Sequence, residues 1–222
     1  MTIPKRAADY KTQTYWNSRF QTEDSYEWMG SFDAFAADLC SLLEPEFSIL
    51  VLGCGSSSLS YDLYQRGYHK VTSIDFSDVA IDNMKRRYAS VPCLKWVLGD
   101  VRELPQIFEC DQFDVVVDKG TFESLIADEG DPWNPSDTTK KDVDLMLSGI
   151  QRILRPKGFY FHISFIQPFF RSRYLRKLKE EKNENPYGLD LISIHSIPVG
   201  LGYYMYTMSK MDRQCWTQPS NA

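Results

Sequence analysis

The amino-acid sequence predicts a doubly wound α/β fold whose seven-stranded sheet is mostly parallel, with an antiparallel last strand. Short apolar runs alternate with amphipathic helical segments from residue 48 onward, an order typical of a parallel sheet with helices on both faces. Two β-rich runs near the C-terminal end, 189–197 and 203–208, are separated only by residues 198–202. A connection this short joins antiparallel strands, which predicts the antiparallel end of the sheet.

Each element follows from a local pattern. The four consecutive apolar residues Ile49 to Leu52 predict a strand at 48–52 that is buried on both faces. Segment 78–89 carries apolar side chains on one face and charged side chains on the other, which predicts a surface helix. The same reasoning predicts helices at about 58–66 and 141–154 and strands at 70–75, 94–98, 113–118 and 159–166.

Composition narrows the class of protein. The net charge of −5 argues against broad nucleic-acid binding, and we expect no nucleic-acid partner. The five cysteines are scattered and only three histidines are present, so no metal site is expected. No leader and no membrane-spanning run are recognisable, so we expect a cytoplasmic monomer that does not bind a membrane. Residues 1–222 are expected to form one domain, with a helical lid segment at 1–45 and the core at 46–210.

A glycine turn follows the first predicted strand. Gly53 and Gly55 allow the backbone a tight turn before the next helix. Asp75 ends the second strand 20 residues after Gly55, a spacing at which a carboxylate can accept hydrogen bonds from both ribose hydroxyls. Asp100 follows the third strand at the same edge of the sheet. The sequence therefore predicts a nucleotide-like ligand in a crevice at the carboxyl ends of the strands.

Two classes of cofactor use such a crevice, dinucleotides and S-adenosylmethionine. A dinucleotide site favours a third glycine that lets the helix approach the pyrophosphate, and Ser58 stands at that position here. S-adenosylmethionine has no phosphate, and it requires a turn beside its methionine part and polar groups for its ribose and adenine. The glycine turn, Asp75 and Asp100 supply these features in order and spacing, which favours S-adenosylmethionine.

Two further segments carry alternative interpretations. Trp16 and Phe20 are four residues apart and share one helix face, either as part of a lid over the crevice or as core anchors of their own helix. Segment 171–179 contains five basic residues, either on a solvated helix face or as a docking patch for an acidic surface.

Several short sequences together resemble a known family, the class I seven-stranded S-adenosylmethionine-dependent methyltransferases with a Rossmann-like fold. Among them the chain is similar to the lysine methyltransferases of translation elongation factor 1A, in particular the branch associated with endothelin-converting enzyme 2. The resemblance covers about residues 10 to 210, and its most specific part is the Asp-Lys-Gly-Thr sequence after the fourth strand. It is carried by Tyr15-Trp16, Tyr26-Glu-Trp28, Ile49-Leu-Val-Leu-Gly-Cys-Gly55, Leu59-Ser60, Asp114-Val-Val-Val-Asp-Lys-Gly-Thr121 and Asp131-Pro-Trp133.

The resemblance implies specific roles. It implies that Gly53 passes the methionine part of the cofactor, that Asp75 and Phe76 hold the ribose, and that Asp100 and Val101 meet the adenine. It also implies that Lys119 contacts the cofactor. The aromatic positions implied to cover the cofactor are Trp16, Phe20 and Trp28.

The chain also departs from the family pattern at two positions. Phe20 stands where tyrosine is usual. Val51 replaces the acid that many class I enzymes place before the first glycine, so the amine of the cofactor needs another partner.

The activity implied by the resemblance is methyl transfer to a lysine amine of elongation factor 1A. The enzyme would align the nucleophile, methyl group and sulfur in a dry pocket, and the lysine must lose its proton before attack. Two alternatives stay open, a small-molecule methyltransferase and a non-catalytic scaffold that binds S-adenosylmethionine. The candidate catalytic residues are Asp118 and Thr121, with Glu123 and Asp131 as further candidates on the substrate side.

Overall fold

The computed structural model describes residues 4–128, 130, 134–176, 187–200 and 202–211. A seven-stranded sheet in the order β3-β2-β1-β4-β5-β7-β6 forms its centre. Among the described residues, β7 runs antiparallel to its neighbours β5 and β6 and the other pairs are parallel, so the predicted fold class is confirmed. The strands are β1 (Ser48–Leu52), β2 (Lys70–Asp75), β3 (Lys95–Leu98), β4 (Phe113–Lys119), β5 (Leu154–Ser164), β6 (Leu189–Ile197) and β7 (Tyr203–Lys210).

Helices cover both faces of the sheet, as expected for strands that are buried on both sides. Within the described residues, no helix is both long enough and apolar enough to cross a membrane. The α-helices are α1 (Gln13–Phe20), α2 (Ala36–Cys40), α3 (Leu59–Gln65), α4 (Asp78–Arg87), α5 (Leu104–Ile107), α6 (Thr121–Leu125), α7 (Asp137–Ile153) and α8 (Pro168–Arg176). Short 3₁₀ helices lie at Ala7–Lys11, Phe32–Ala34 and Val101–Glu103.

Two apolar clusters fill the space on the two faces of the sheet. One combines the inward side chains of β1 and β4 with α3 and with the segment around Phe32, Phe35 and Leu39. The other packs α5, α6 and α7 against the opposite face. The second half of the predicted lid segment is therefore part of the core, because its aromatic and aliphatic side chains are almost fully buried there.

The predicted elements differ from the observed ones mainly around α7 and β5. Helix α7 begins at Asp137 rather than at 141, because the Ser136 side chain accepts a hydrogen bond from the Thr139 N–H and caps the helix. Strand β5 begins at Leu154, where the chain passes directly from the helix into pairing with Phe113 of β4. The strand therefore starts before the predicted 159, and Pro156, Lys157 and Gly158 lie inside it.

Candidate functional site

One cavity of about 430 Å³ lies at the carboxyl ends of β1, β2, β3 and β4. Its volume is within the range of sites that enclose a small molecule or cofactor. Its wall includes the following residues predicted from the sequence: Trp16, Phe20, Trp28, Gly53, Gly55, Asp75, Phe76, Asp100, Val101, Lys119 and Thr121. The structure thus brings together all the residues predicted to bind the cofactor and one of the two predicted catalytic residues, Thr121 but not Asp118.

The glycine turn forms one side of the cavity and leaves no room for a side chain at Gly53. Gly53 and Gly55 have φ values of +52° and +49°, in the left-handed region that favours glycine. A Cβ atom at Gly53 would lie 2.1 Å from Oγ1 of Thr121, and one at Gly55 would lie 3.1 Å from the ring of Phe20. The Thr121 hydroxyl is fixed in turn, because it donates a hydrogen bond to the Leu52 carbonyl at 3.0 Å.

Asp75 lies in the cavity wall beside this turn and is almost completely buried. Its Oδ2 accepts a hydrogen bond from the Gly55 N–H and its Oδ1 accepts one from the Ser77 N–H, both at 2.8 Å. Burial raises the pKa of Asp75 to about 6, although these backbone hydrogen bonds oppose the shift. Each carboxylate oxygen retains a further acceptor site, so the fixed carboxylate can still accept hydrogen bonds from two hydroxyl groups.

Asp100 has a partner that the sequence analysis did not foresee. Its carboxylate accepts hydrogen bonds from Nε of Arg102 at 3.0 Å and from Nη2 at 2.5 Å. Burial raises the pKa of Asp100, but the hydrogen bonds from Arg102 outweigh burial and hold this pKa below its usual value. Arg102 also contacts Asp142 on α7 at 3.2 Å. Val101, the neighbouring residue, presents apolar surface to the cavity.

Aromatic side chains from the N-terminal segment form the opposite side of the cavity. The rings of Trp16 and Phe20 are stacked with centroids 5.4 Å apart, and Trp28 meets Trp16 edge-on at 6.2 Å. Helix α1 is anchored to the core by a hydrogen bond from Asn83 Nδ2 to the Phe20 carbonyl at 2.8 Å. Trp16 is only half-buried and lines the cavity, so its position agrees with a covering role rather than with that of a core anchor.

A buried ion pair joins this aromatic segment to the end of β4. Nζ of Lys119 lies 2.9 Å from Oε2 of Glu27 and donates a hydrogen bond to the Trp28 carbonyl at 2.8 Å. Glu27 also accepts hydrogen bonds from Ser57 and Ser58 in the glycine-turn region. Burial lowers the pKa of Lys119 despite the nearby carboxylate. Sequence reasoning missed Glu27, because no local pattern pairs it with a lysine 92 residues away.

Asp118 is the predicted site residue that the structure places elsewhere. It is fully buried and does not line the cavity. Its Oδ1 accepts a hydrogen bond from the Thr121 N–H at 3.0 Å, and its Oδ2 contacts the Tyr160 hydroxyl at 3.2 Å and Nδ1 of His162 at 2.9 Å. The predicted catalytic role is therefore corrected, because this carboxylate holds the start of α6 and already has partners on both oxygens.

Two other predictions concern the substrate side. Glu123 lines the cavity, whereas Asp131 and the neighbouring Trp133 lie outside the described residues. For the basic segment 171–179 we expected either a solvated helix face or a docking patch. Neither applies to its first residue, because Arg171 is fully buried and contacts Glu123. The side chains of the last four residues of that segment are not described.

The site fits S-adenosylmethionine by its shape and by its donors and acceptors. The glycine turn offers a surface that a Cβ atom would fill, and a fixed carboxylate, that of Asp75, ends β2. Aromatic and apolar side chains supply a low-dielectric wall. The sheet order and this arrangement define the class I S-adenosylmethionine-dependent methyltransferases.

Comparison with known proteins agrees with this class. A family model described as a methyltransferase domain matches residues 43–213, and the chain belongs to this family. It is an S-adenosylmethionine-dependent enzyme. The chain is 43% identical over 175 residues to EEF1A lysine methyltransferase 4 of Mus musculus, covering 78% of this chain and 68% of that protein. The Bos taurus protein of the same name is 41% identical over 179 residues, with the same coverage.

A solved structure shows the same fold. It is the Burkholderia thailandensis 1,6-didemethyltoxoflavin-N1-methyltransferase with bound S-adenosylhomocysteine, which matches with a TM-score of 0.63. The match covers 96% of this chain and 93% of that chain, at 17% sequence identity. At this identity the likeness extends to the fold alone.

Proposed function

We propose that the protein is a protein-lysine N-methyltransferase that acts on translation elongation factor 1A. The observation that carries this proposal is the similarity of 41–43% to two mammalian proteins named as lysine methyltransferases of that factor. The cavity is compatible with an amine acceptor, because its wall is largely aromatic and apolar and includes carboxylates that can accept hydrogen bonds. The substrate would be a lysine side chain that enters from solvent.

The proposed cofactor contacts follow from the cavity wall. The turn at Gly53 and Gly55 would pass the methionine part, and Asp75 with Phe76 would hold the ribose. Val101 would face the adenine, with Asp100 as a polar neighbour already paired with Arg102. We further propose that the ammonium of Lys119 serves to pair with Glu27 and does not contact the sulfonium of the cofactor. A cation beside a sulfonium is unfavourable, and the ammonium is directed to that carboxylate.

S-adenosylmethionine supplies an electrophilic methyl group when it is bound. The residues of this chain would exclude water, hold the amine in line with the methyl group and the sulfur, and keep the amine neutral. Orientation of this kind contributes about 7–11 kcal/mol in favourable cases. A lysine amine has a reference pKa of about 10.4, and an apolar aromatic surrounding lowers that pKa because it disfavours the charged form. Thr121 would shape the approach of the substrate against the glycine turn.

The test is a methyl-transfer assay with purified protein, labelled S-adenosylmethionine and elongation factor 1A. We expect label in the factor with the wild-type enzyme and none with Asp75→Ala, which removes the carboxylate proposed to hold the ribose. Among single Lys→Arg variants of the factor, the variant that removes the target lysine should abolish labelling. Label that persists in every Lys→Arg variant, or that never enters the factor, would contradict the proposed substrate.

The alternatives give different outcomes in the same assay. A small-molecule methyltransferase would label low-mass compounds of a cell extract rather than a protein. A non-catalytic scaffold would bind S-adenosylmethionine without turnover on any extract. We also propose a cytoplasmic monomer without nucleic-acid or membrane partners, organised as one domain over 1–222 whose core includes the second half of segment 1–45.

A further inference from the structure

Among the described residues, three carboxylates line the cavity, and one of these three has an oxygen without a hydrogen-bond partner. Both oxygens of Asp75 accept backbone N–H groups, and both oxygens of Asp100 accept hydrogen bonds from Arg102. Glu123 differs, because its Oε2 is buried and has no hydrogen-bond partner among the described residues. A buried carboxylate oxygen left in this way is costly unless a ligand or water satisfies it.

The other oxygen of Glu123 is held firmly. Its Oε1 accepts a hydrogen bond from the Ser164 hydroxyl at 2.6 Å and another from Nη2 of Arg171 at 2.6 Å. Arg171 is fully buried, and its guanidinium lies 4.3 Å from the ring centroid of Phe122. An arginine is rarely buried to this extent without a specific charge partner. The fold therefore fixes one carboxylate oxygen of Glu123, while the second is buried without a hydrogen-bond partner among the described residues, as are Nε and Nη1 of Arg171.

The neighbouring residues that could accept a hydrogen bond from an amine already make other contacts. The Thr121 hydroxyl donates its proton to the Leu52 carbonyl, and Asp118 lies outside the cavity wall. Nε2 of His162 lies 3.6 Å from the same Oε1 of Glu123, on the buried side. Among the described residues in the cavity wall, Glu123 is thus the acidic side chain with a carboxylate oxygen that lacks a hydrogen-bond partner.

We propose that Glu123 orients the amine of the substrate by accepting a hydrogen bond from it, and that Arg171 and Ser164 are positioning residues for this carboxylate. The hydrogen bond directs the lone pair of a neutral amine toward the methyl donor. This inference rests on the proposed function insofar as the acceptor is an amine. It does not depend on which protein carries that amine.

The experiment compares two ligands of the cofactor site. S-adenosylhomocysteine carries no amine at the position of the transferred methyl group, whereas sinefungin carries a primary amine there. Calorimetric titrations would be made on the wild type, on Glu123→Gln and on Glu109→Gln, an exposed glutamate outside the cavity with the same charge change. We expect sinefungin affinity to fall about tenfold in Glu123→Gln alone, since hydrogen bonds to charged groups are the strong ones. Affinity for S-adenosylhomocysteine should stay within about twofold in all three proteins.

The inference is overturned if Glu123→Gln binds both ligands as the wild type does, or if both affinities fall by the same factor. Glu123→Gln leaves Arg171 without its charge partner and could unfold the protein. In that event the double variant Glu123→Gln/Arg171→Met, which removes both charges together, is titrated in its place and judged by the same criterion.

A kinetic measurement separates this inference from the proposed substrate. On elongation factor 1A, Glu123→Gln should lower kcat at least tenfold with an unchanged KM for S-adenosylmethionine. Unchanged kcat would overturn the role of Glu123 while leaving the proposed function intact. A wild-type enzyme that does not methylate the factor would refute the proposed substrate, and the sinefungin titration would still decide the role of Glu123.

Discussion

The two sides of the cavity are built by different interactions. The glycine-turn side is built from backbone, with Gly53, Gly55 and the N–H groups that fix Asp75. The aromatic side depends on side chains, namely the stacked Trp16 and Phe20 and the ion pair that ties the N-terminal segment to β4. At this turn a side chain on Gly53 would overlap Thr121. Substitutions on the aromatic side should instead reduce cofactor affinity and protein stability in graded steps. Four predictions test this difference.

The largest effect is expected for Gly53→Ala. The added Cβ atom would overlap Oγ1 of Thr121, which is held by the Leu52 carbonyl. We expect affinity for S-adenosylhomocysteine to fall at least about a hundredfold in a calorimetric titration, because the turn must shift. The control is Gly67→Ala, which also has positive φ but no heavy atom within 4 Å. It should lose about 1 kcal/mol of unfolding free energy and keep its affinity. Equal affinity losses in the two variants would contradict the steric explanation.

The second effect concerns Lys119→Met on the aromatic side. The change leaves Glu27 partly buried without its cation, although Ser57 and Ser58 still donate to it. We expect a loss of about 2 kcal/mol in unfolding free energy by chemical denaturation, below the full value for a buried pair because Glu27 is partly exposed.

The matched control for this ion pair is Lys70→Met. It removes a lysine whose partner, Glu46, is highly exposed. Its effect on the unfolding free energy should be within about 0.5 kcal/mol. If the two lysine variants lost the same stability, the pair between Lys119 and Glu27 would not hold the two sides of the cavity together.

The third effect is a pH dependence of cofactor binding. The pKa of Asp75 is raised to about 6, so its carboxylate is ionised at pH 7.5 and mostly protonated at pH 5. Protonation turns one carboxylate oxygen into an O–H donor and weakens the hydrogen bonds that the group accepts, so affinity for S-adenosylhomocysteine should fall about tenfold over this range. Titrations of Asp75→Asn should show weaker binding without this slope. A slope retained in the variant would assign the titration to another group.

The smallest effect is expected for Trp16→Leu. It removes the ring stacked on Phe20, and we expect about fivefold weaker binding of S-adenosylhomocysteine and a loss of about 1 kcal/mol in stability. Trp96→Leu is the control, because Trp96 stacks on Tyr88 at 5.8 Å and does not line the cavity. It should lose similar stability without loss of affinity. Weaker binding in both variants would argue for a general effect on the fold.

Much of the glycine-turn side could be predicted from the sequence. The predicted strands at 48–52 and 70–75 have the observed bounds, and Gly55 and Asp75 are directly hydrogen-bonded. These predictions hold because the elements belong to one βαβ unit, whose parallel strands must end at the same edge of the sheet. The aromatic residues near the N-terminus could also be singled out by their spacing, but not the contacts that hold them.

The sequence by itself determined the order of strands and helices, the glycine turn and the acids that follow β2 and β3. Periodicity, residue size and the rules of parallel connections act over short distances along the chain. Only the tertiary structure decided that Glu27 pairs with Lys119, that Asp118 holds α6 outside the cavity and that Arg171 fixes Glu123. These contacts join segments that are distant in the sequence. Each buried charge needs an opposite charge or a hydrogen bond, and which partner lies near it depends on how the core packs.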